Sequence, residues 1–476
     1  MDGGTERSRY VDLLRAGAIV LVVLGHWLIT ALVREPDGAL AAPELMVTVP
    51  WTQWLTLGFQ IMPVFFLAGG YAAAGSWNRC RAGGGTAAGW IRGRALRLLL
   101  PTAAYLVPTL GGLAVAAAFG ADPALLGMIG WALAMQFWFL PVYLAISALT
   151  PWLAALHRRW GLGSVAALAA AGAALDLLVL GADTGWADRV GLLNYLLVWA
   201  VAYQLGFAWR AGGLTARPVF GAALAAGGAA GYAALVGFGP FPVSLVLVSG
   251  EETSNTDPPS LAMLAWLFAQ CGLCLLLAPH AERALSARRR LGRLVDPLGR
   301  ASMSLYLWHM VPVLVAGAAF YLTDLAPEPE VGSGAWWAWR PVWVLVLAVL
   351  LGALLAGLRP VDGLLRRLAA RMRPQDGTAG TGRAALLTVG LAVTGWALAR
   401  WAVQGLARGG SPDWRTLLAF VVGSALVGGA AIRRTIAPAT AGATAGAADT
   451  GTDTGAGTGA GVPAGAEPDG VVGRVS

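Results

Sequence analysis

Two residues in the first apolar run are of types that do chemistry, at a spacing that lets them share it: Arg15 and His26. They stand eleven residues apart. On a helix that is three turns plus about 20°, so both project from one face, roughly 16 Å apart along the axis. A guanidinium fork binds phosphate oxygens bidentately, and an imidazole serves as base or nucleophile. Such a face suits a substrate with an anionic head and an extended arm whose reactive end reaches the ring. Coenzyme A thioesters have that shape. The plainer alternative pairs Arg15 with Asp12 at i, i+3, its stem lying along the membrane edge, while His26 bonds a neighbouring helix.

Other polar groups stand where apolar surroundings make them costly. Arg92, Arg94 and Arg97 precede Leu98-Leu-Leu-Pro101, and Arg94 and Arg97 share a helix face at i, i+3. They are either phosphate ligands or ordinary membrane-orienting charge. In Gly299-Arg-Ala-Ser-Met-Ser-Leu-Tyr-Leu-Trp-His309, residues Ser302, Tyr306 and His309 fall on one helical face. His309 reaches a depth near that of His26. His157 and His280 sit at loop edges and need no role. The segment Phe65-Phe-Leu-Ala-Gly-Gly-Tyr71 carries small residues that permit close helix approach, and Trp138-Phe-Leu-Pro141 opens a later span. Asp176, well inside a span, is either a proton partner or a satisfied polar contact. Cys80, Cys271 and Cys274 make neither a disulfide framework nor a metal site, and read as small buried hydrophobes.

The elements that must position these groups follow from composition. Of 476 residues, 57% are hydrophobic and 12% charged, against about 25% charged in a soluble domain. The apolar residues come in blocks of about 20, long enough to cross a hydrocarbon core as helices. Twelve spans are expected, at about 12–33, 52–74, 96–119, 137–156, 162–181, 191–209, 217–238, 260–279, 299–322, 336–358, 384–405 and 414–432. The segment 124–136 reads as an interfacial or re-entrant piece leading into the fourth. Every one of the 33 basic residues is arginine. They gather in alternate loops: Arg79 to Arg94, Arg158 and Arg159, Arg210 and Arg217, Arg283 to Arg293, and Arg366 to Arg373. The intervening loops carry acids such as Asp37, Glu44, Asp183, Glu251 and Glu328. This alternation places both termini in the cytoplasm; the membrane expected for this multi-pass chain is the cell inner (plasma) membrane. It also explains the net charge of +8 without a nucleic-acid partner. The Ala/Gly/Thr-rich segment after Arg434 cannot bury a core and is expected to be disordered.

Together these segments resemble the acyltransferase 3 family of membrane acyltransferases. Arg15-x10-His26 resembles its first-helix signature and Arg94-x-x-Arg97 its basic motif. Phe66-Leu-Ala-Gly-Gly-Tyr71 is similar to an F-x-S-G-Y segment with Gly69 where serine is common. Trp138-Phe-Leu resembles a W-F-L element, and Ser302-x-Ser-x-Tyr306-x-x-His309 a late S-x-x-x-Y-x-x-H element. The resemblance covers about residues 8–358, ten spans. It implies an acyl-CoA co-substrate, often acetyl-CoA, entering from the cytoplasm, with no permanently bound cofactor and no metal. The implied acceptor is a hydroxyl on a cell-envelope glycan, a lipid-linked saccharide or a secreted small molecule. By position, His26 inherits the essential histidine role, with His309 as second candidate. Arg15, Arg94 and Arg97 inherit the donor contacts, with Asp12, Tyr71, Ser302 and Tyr306 in support.

The expected fold is therefore all-α, a polytopic transmembrane helical bundle with a ten-helix core and two extra C-terminal spans. Its parts are a cytoplasmic N-terminus (1–11), the membrane domain (12–358), an Arg-rich loop (359–383), the added spans (384–432) and the tail (433–476). The chemistry expected at His26 is general-base catalysis or an acyl-imidazole. The competing expectation is a twelve-span secondary transporter or flippase without acyl transfer. Against it, the sequence shows no similarity between its halves and no paired broken helices. A non-enzymatic assembly or sensor role would leave the shared Arg15–His26 face unexplained.

Overall fold

The helices of this chain cover its apolar blocks, and Leu261–Ala287, Arg289–Trp308 and Gly334–Arg371 also take in arginine-bearing flanks. The computed structural model describes residues 8–429, apart from residues 37, 39, 183, 184, 213, 216, 288, 322, 324, 326 and 373–380. The tail expected to be disordered, 433–476, lies outside the described residues, as do Arg7 and Arg373. α1 (Arg9–Ile29) leads into a minimal antiparallel hairpin, β1 (Val33–Arg34) and β2 (Leu40–Ala41), and then short helical turns. Next come α2 (Met62–Ala82), α3 (Ala87–Ala118), α4 (Pro123–Ala132), α5 (Phe139–Ala148), α6 (Thr150–Trp160), α7 (Gly163–Leu180) and α8 (Gly185–Gly191). The chain continues through α9 (Asn194–Arg210), α10 (Pro218–Phe238), α11 (Leu261–Ala287), α12 (Arg289–Trp308) and α13 (Val311–Tyr321). It ends in α14 (Gly334–Arg371), α15 (Thr381–Gln404) and α16 (Trp414–Gly429). Among the described residues nine helices are long and apolar enough to cross a membrane, or eleven if each of two bent pairs is one span. α16 is a shorter apolar helix. The protein is an all-α, polytopic membrane protein.

The expectation that no spans would be broken in pairs is overturned. α4 and α5 meet at 45° across residues 133–134, and α12 and α13 at 52° across His309 and Met310. Each break has a proline in the first turn of the helix that follows, Pro141 and Pro312. There the missing N–H is one that the helix leaves unpaired anyway. Carbonyls freed at the two breaks are satisfied by side chains, two of the five bonds running from one break to the other. The Tyr306 hydroxyl donates to the Gln136 carbonyl. The Gln136 amide donates to Leu133 O at 3.0 Å and Leu307 O at 3.5 Å. The Tyr105 hydroxyl reaches Leu133 O at 2.8 Å, and the Trp27 indole reaches His309 O at 2.8 Å. Irregular backbone survives at membrane depth only where protein satisfies it, so the breaks hold each other.

The two added helices brace this region. Trp401 on α15 is fully buried against Phe137, in the short 3₁₀ turn between α4 and α5, with ring centroids 6.4 Å apart. Past the end of α15, Leu406 N donates to Gly130 O at 3.0 Å. At the opposite end of the bundle Arg92 on α3 clamps three carbonyls: Val427 and Gly428 of α16 at 3.2 and 3.1 Å, and Met372 after α14 at 2.6 Å. The stretch expected to be a loop from 359 is helical to Arg371, because α14 simply continues.

Close packing of α2 on α9 fixes the middle of the bundle. A Cβ at Gly70 would overlap the Tyr203 carbonyl, and one at Gly206 the Leu67 carbonyl. The helices touch there backbone to backbone, as small residues allow.

Candidate active site

α1 is pinned at both ends. Its first N–H groups, otherwise without partners, meet the Glu282 carboxylate of α11: Tyr10 N at 2.9 Å and Arg9 N at 3.1 Å, with the Ser8 hydroxyl at 3.0 Å. Ser8 in turn caps Val11 N at 3.2 Å. At the far end the Thr30 backbone N–H and hydroxyl both donate to His26 O, at 3.1 and 2.6 Å. Phe59 fills the space beside Gly25, where a Cβ would come within 3.2 Å of its ring. The His26 turn is therefore held from three sides, counting the Trp27 indole on the α12–α13 break.

That geometry brings the two intramembrane histidines into contact. His26 Nδ1 lies 2.8 Å from His309 Nε2. The ring planes are 15° apart and their centroids 5.0 Å. This centroid spacing is close to the N···N distance plus a ring radius at either end, so the imidazoles meet edge to edge, nearly in one plane. His309 Nδ1 lies 2.7 Å from the Tyr306 carbonyl. A carbonyl can only accept, so His309 carries its proton on Nδ1 and, when neutral, accepts at Nε2. His26 must then donate from Nδ1, which leaves its own Nε2 as a lone pair. Three groups in a row thus select one tautomer, as an orienting partner does for a catalytic imidazole. His309 is fully buried, whereas His26 retains part of its surface.

The arginines separate. Arg94 turns inward: its Nη2 donates to Ser76 Oγ at 2.9 Å, its Nη1 reaches Tyr143 Oη at 3.5 Å, and its guanidinium stands 4.8 Å from the Trp90 ring centroid. Its Nε is buried with no hydrogen-bond partner among the described residues. Arg97, one turn on, is exposed. Arg15 is half-buried on α1 and has no hydrogen-bond or ion-pair partner among the described residues, Asp12 included. Arg210 on α9 joins the Arg94 neighbourhood through α2. It lies over the Tyr71 ring at 4.9 Å, against the Gly75 backbone, one residue before Ser76. In the sequence Arg210 looked like ordinary loop charge.

Of the supporting residues, Tyr306 is at the centre: buried, its carbonyl on His309 and its hydroxyl on Gln136. Tyr71 packs between Trp209 and Arg210. Ser302 does not reach the pair, because its hydroxyl bonds back to Leu298 O and Gly299 O of its own helix. Ser304 is the serine held across helices, by Asp362 at 3.1 Å. Asp176 accepts from Leu261 N at 2.7 Å and caps the start of α11, so it is a satisfied contact. Among the described residues no group of three or more His, Cys, Asp or Glu side chains could hold a metal ion. Gln136, Ser76 and Tyr143 carried no isolated sequence signal. Each matters through a partner distant in the chain.

One family model matches the chain, over residues 8–358, and its description is an acyltransferase domain. No curated protein and no solved structure matches it.

Proposed function

The chain belongs to the acyltransferase 3 family, and from that membership we propose that it transfers an acyl group from acyl-CoA, acetyl-CoA foremost, to a hydroxyl acceptor. The acceptor class is a cell-envelope glycan, a lipid-linked saccharide or a secreted small molecule. In this reading the Arg9 end of α1 faces the cytoplasm, both termini are cytoplasmic and the membrane is the inner (plasma) membrane. The alternation of arginine-rich and acidic loops supports that orientation.

One observation carries the chemistry: the Tyr306–His309–His26 row, which leaves the lone pair of His26 on Nε2. His26 takes the proton of the acceptor hydroxyl at Nε2 as the oxygen attacks the thioester carbonyl. The tetrahedral intermediate collapses with cleavage of the C–S bond, and the proton on Nε2 passes to the departing thiolate. During the step His26 is cationic, and its Nδ1–H bond to neutral His309 becomes charge-assisted. Arg94, Arg15 and Arg210 hold the anionic head of the donor at the other end. Arg15 supports this role because its guanidinium has no partner among the described residues and lies on the His26 helix, three turns and about 20° away. Arg97, exposed, contributes long-range charge.

The test supplies membranes containing the protein with radiolabelled acetyl-CoA and follows the label. Label appearing in an envelope or medium component is expected. Label that stays in acetyl-CoA at every acceptor tried sinks the reading. The paired broken spans are the observation that favours a second reading, a transporter or flippase, since discontinuous helices line many transport sites. Substrate flux with no consumption of acyl-CoA would establish it. The breaks here are closed by Tyr306, Gln136 and Trp27, which supports a fixed catalytic scaffold instead.

A further inference from the structure

At the Thr30 end of the bundle, four residues beyond His26, a cleft of about 200 Å³ lies between the end of α1, the end of α13 and the start of α14. One turn of helix, about 6 Å of axis, separates Thr30 from His26. The cleft is aromatic and apolar, with Tyr321, Trp336, Trp339 and Trp343 in its walls, and Arg340 is the one charged group among its lining residues. That guanidinium lies 3.5 Å from the Trp336 ring centroid, and its Nη1 donates to Thr30 O at 2.8 Å. Its Nε and Nη2 donors have no partner among the described residues. Glu328, one of the acids of the adjoining loop, is taken by Arg34 at 3.4 Å. Arg34 and Tyr321 also tie the cleft's rim together, since Arg34 donates to Tyr321 O and the Tyr321 hydroxyl to Leu32 O at 3.0 Å. Along α14 the apolar surface continues outward from the cleft through Val342, Leu345 and Val349, which are 46%, 64% and 63% exposed.

A half-buried cation with spare donors, set in an apolar wall, is complementary to an anion carried on an apolar body. We propose that this cleft is the acceptor subsite and that it takes a membrane-borne anionic amphiphile. Its phosphate or carboxylate would meet Arg340 and its chain would lie against Trp339 and Trp343 and down α14. The inference rests on the acyl-transfer reading and adds to it the side from which the acceptor comes and the charge it carries. The hydroxyl of such a molecule arrives one helical turn from His26, at the end of α1 opposite the arginines that hold the donor.

The test reads binding without acyl-CoA. The full-length protein in phosphatidylcholine nanodiscs is titrated with dodecyl phosphate brominated on its chain, and tryptophan quenching is recorded. Saturable quenching is expected, and Trp339→Phe with Trp343→Phe should remove most of it. Arg340→Gln should weaken binding by about tenfold or more, the worth of a charge-assisted contact. Arg340→Lys should keep most of it, which separates loss of charge from a misfolded α14. Two further probes distinguish sources. Inorganic phosphate competing as well as the amphiphile would overturn the role of the chain. Neutral dodecyl maltoside binding equally, with Arg340→Gln without effect, would overturn the role of the charge. Absent binding in protein that still consumes labelled acetyl-CoA sinks the cleft alone. Intact binding in protein that consumes none sinks the acceptor role together with the acyl-transfer reading.

Discussion

His26 Nδ1 stands 2.8 Å from His309 Nε2, although the two residues are 283 positions apart in the chain. The contact divides their work, since only His26 keeps a lone pair to offer. His26→Ala should therefore lower acyl transfer by about 10²- to 10⁴-fold, the usual worth of a positioned base. The protein should insert and be extracted as before. His309→Ala should cost less, because it releases the ring of His26 without removing it. His309→Gln, whose Oε1 can still accept the Nδ1–H, should recover part of that loss. The measurement is label transferred from acetyl-CoA at saturating donor. Equal activity in His309→Ala and the unmutated protein would show that the row of hydrogen bonds orients nothing.

The three arginines of α3 should give three different phenotypes. Arg94→Ala should raise KM for acyl-CoA by about tenfold or more, since a bidentate guanidinium contact with phosphate is lost. Arg94→Lys should not restore it, because an ammonium cannot span Ser76 and a phosphate as a fork does. Arg97→Ala, at an exposed position, should change KM by less than about threefold. Arg92→Ala should leave KM alone and lower thermal stability, by about 2 kcal/mol, through carbonyls of α14 and α16 left without donors. A single shared effect of all three on KM would contradict the inward and outward placement seen here.

Much of this site could be read in the sequence, and the reasons for what could not are specific. The Arg15–His26 spacing needs only a straight helix, and α1 is one. The arginine alternation needs only the order of spans. Segment 124–136 reads from the sequence as a separate piece ahead of the fourth span, but the break at His309 is invisible there, because hydropathy averages over a window and does not sense direction: Pro312 sits inside an apolar run. Ser302 was misplaced by the same assumption of one continuous face, since a face shared over two turns does not place a hydroxyl that can bond its own backbone. Arg94 and Arg97 share a face only to within about 60° at i, i+3. That angle is enough to bury one and expose the other.

The connection between α15 and α16 should respond to acid in a defined sense. The Thr416 hydroxyl, chiefly, with Arg400 and the N–H groups of Arg415 and Thr416, holds the Asp413 carboxyl below the usual carboxylate range. A lowered folded-state pKa means that the contribution is complete above the ordinary value near 3.9 and is lost as pH falls through the lowered one. Asp413→Ala should therefore cost about 1 kcal/mol at neutral pH, as loss of a helix cap does. The difference from the unmutated protein should be flat from about pH 5 to 8 and should shrink below about pH 4. Thermal unfolding across that range checks it. A difference that grows on acidification would have the wrong sign.

Glycines in the Gly69-Gly70 pair should behave oppositely despite adjacency. At Gly70 any Cβ overlaps the Tyr203 carbonyl, and at Gly206 the Leu67 carbonyl, so neither contact can be relieved by turning a side chain. Gly70→Ala and Gly206→Ala should each separate α2 from α9 and cost about 1–3 kcal/mol or more, the range for overpacking in a closed core. At Gly69 a Cβ would meet the Tyr143 ring at 3.4 Å, an ordinary contact. Gly69→Ser should therefore fold normally, and it would place a hydroxyl beside Tyr143, which already touches Arg94. Fluorescence-detected size exclusion after heating compares the three variants. If Gly70→Ala matched Gly69→Ser in stability, the backbone contact of α2 with α9 could not be as close as it is here. The positioning of Tyr71 and Ser76 along α2, and of Arg210 at the end of α9, would then need another origin.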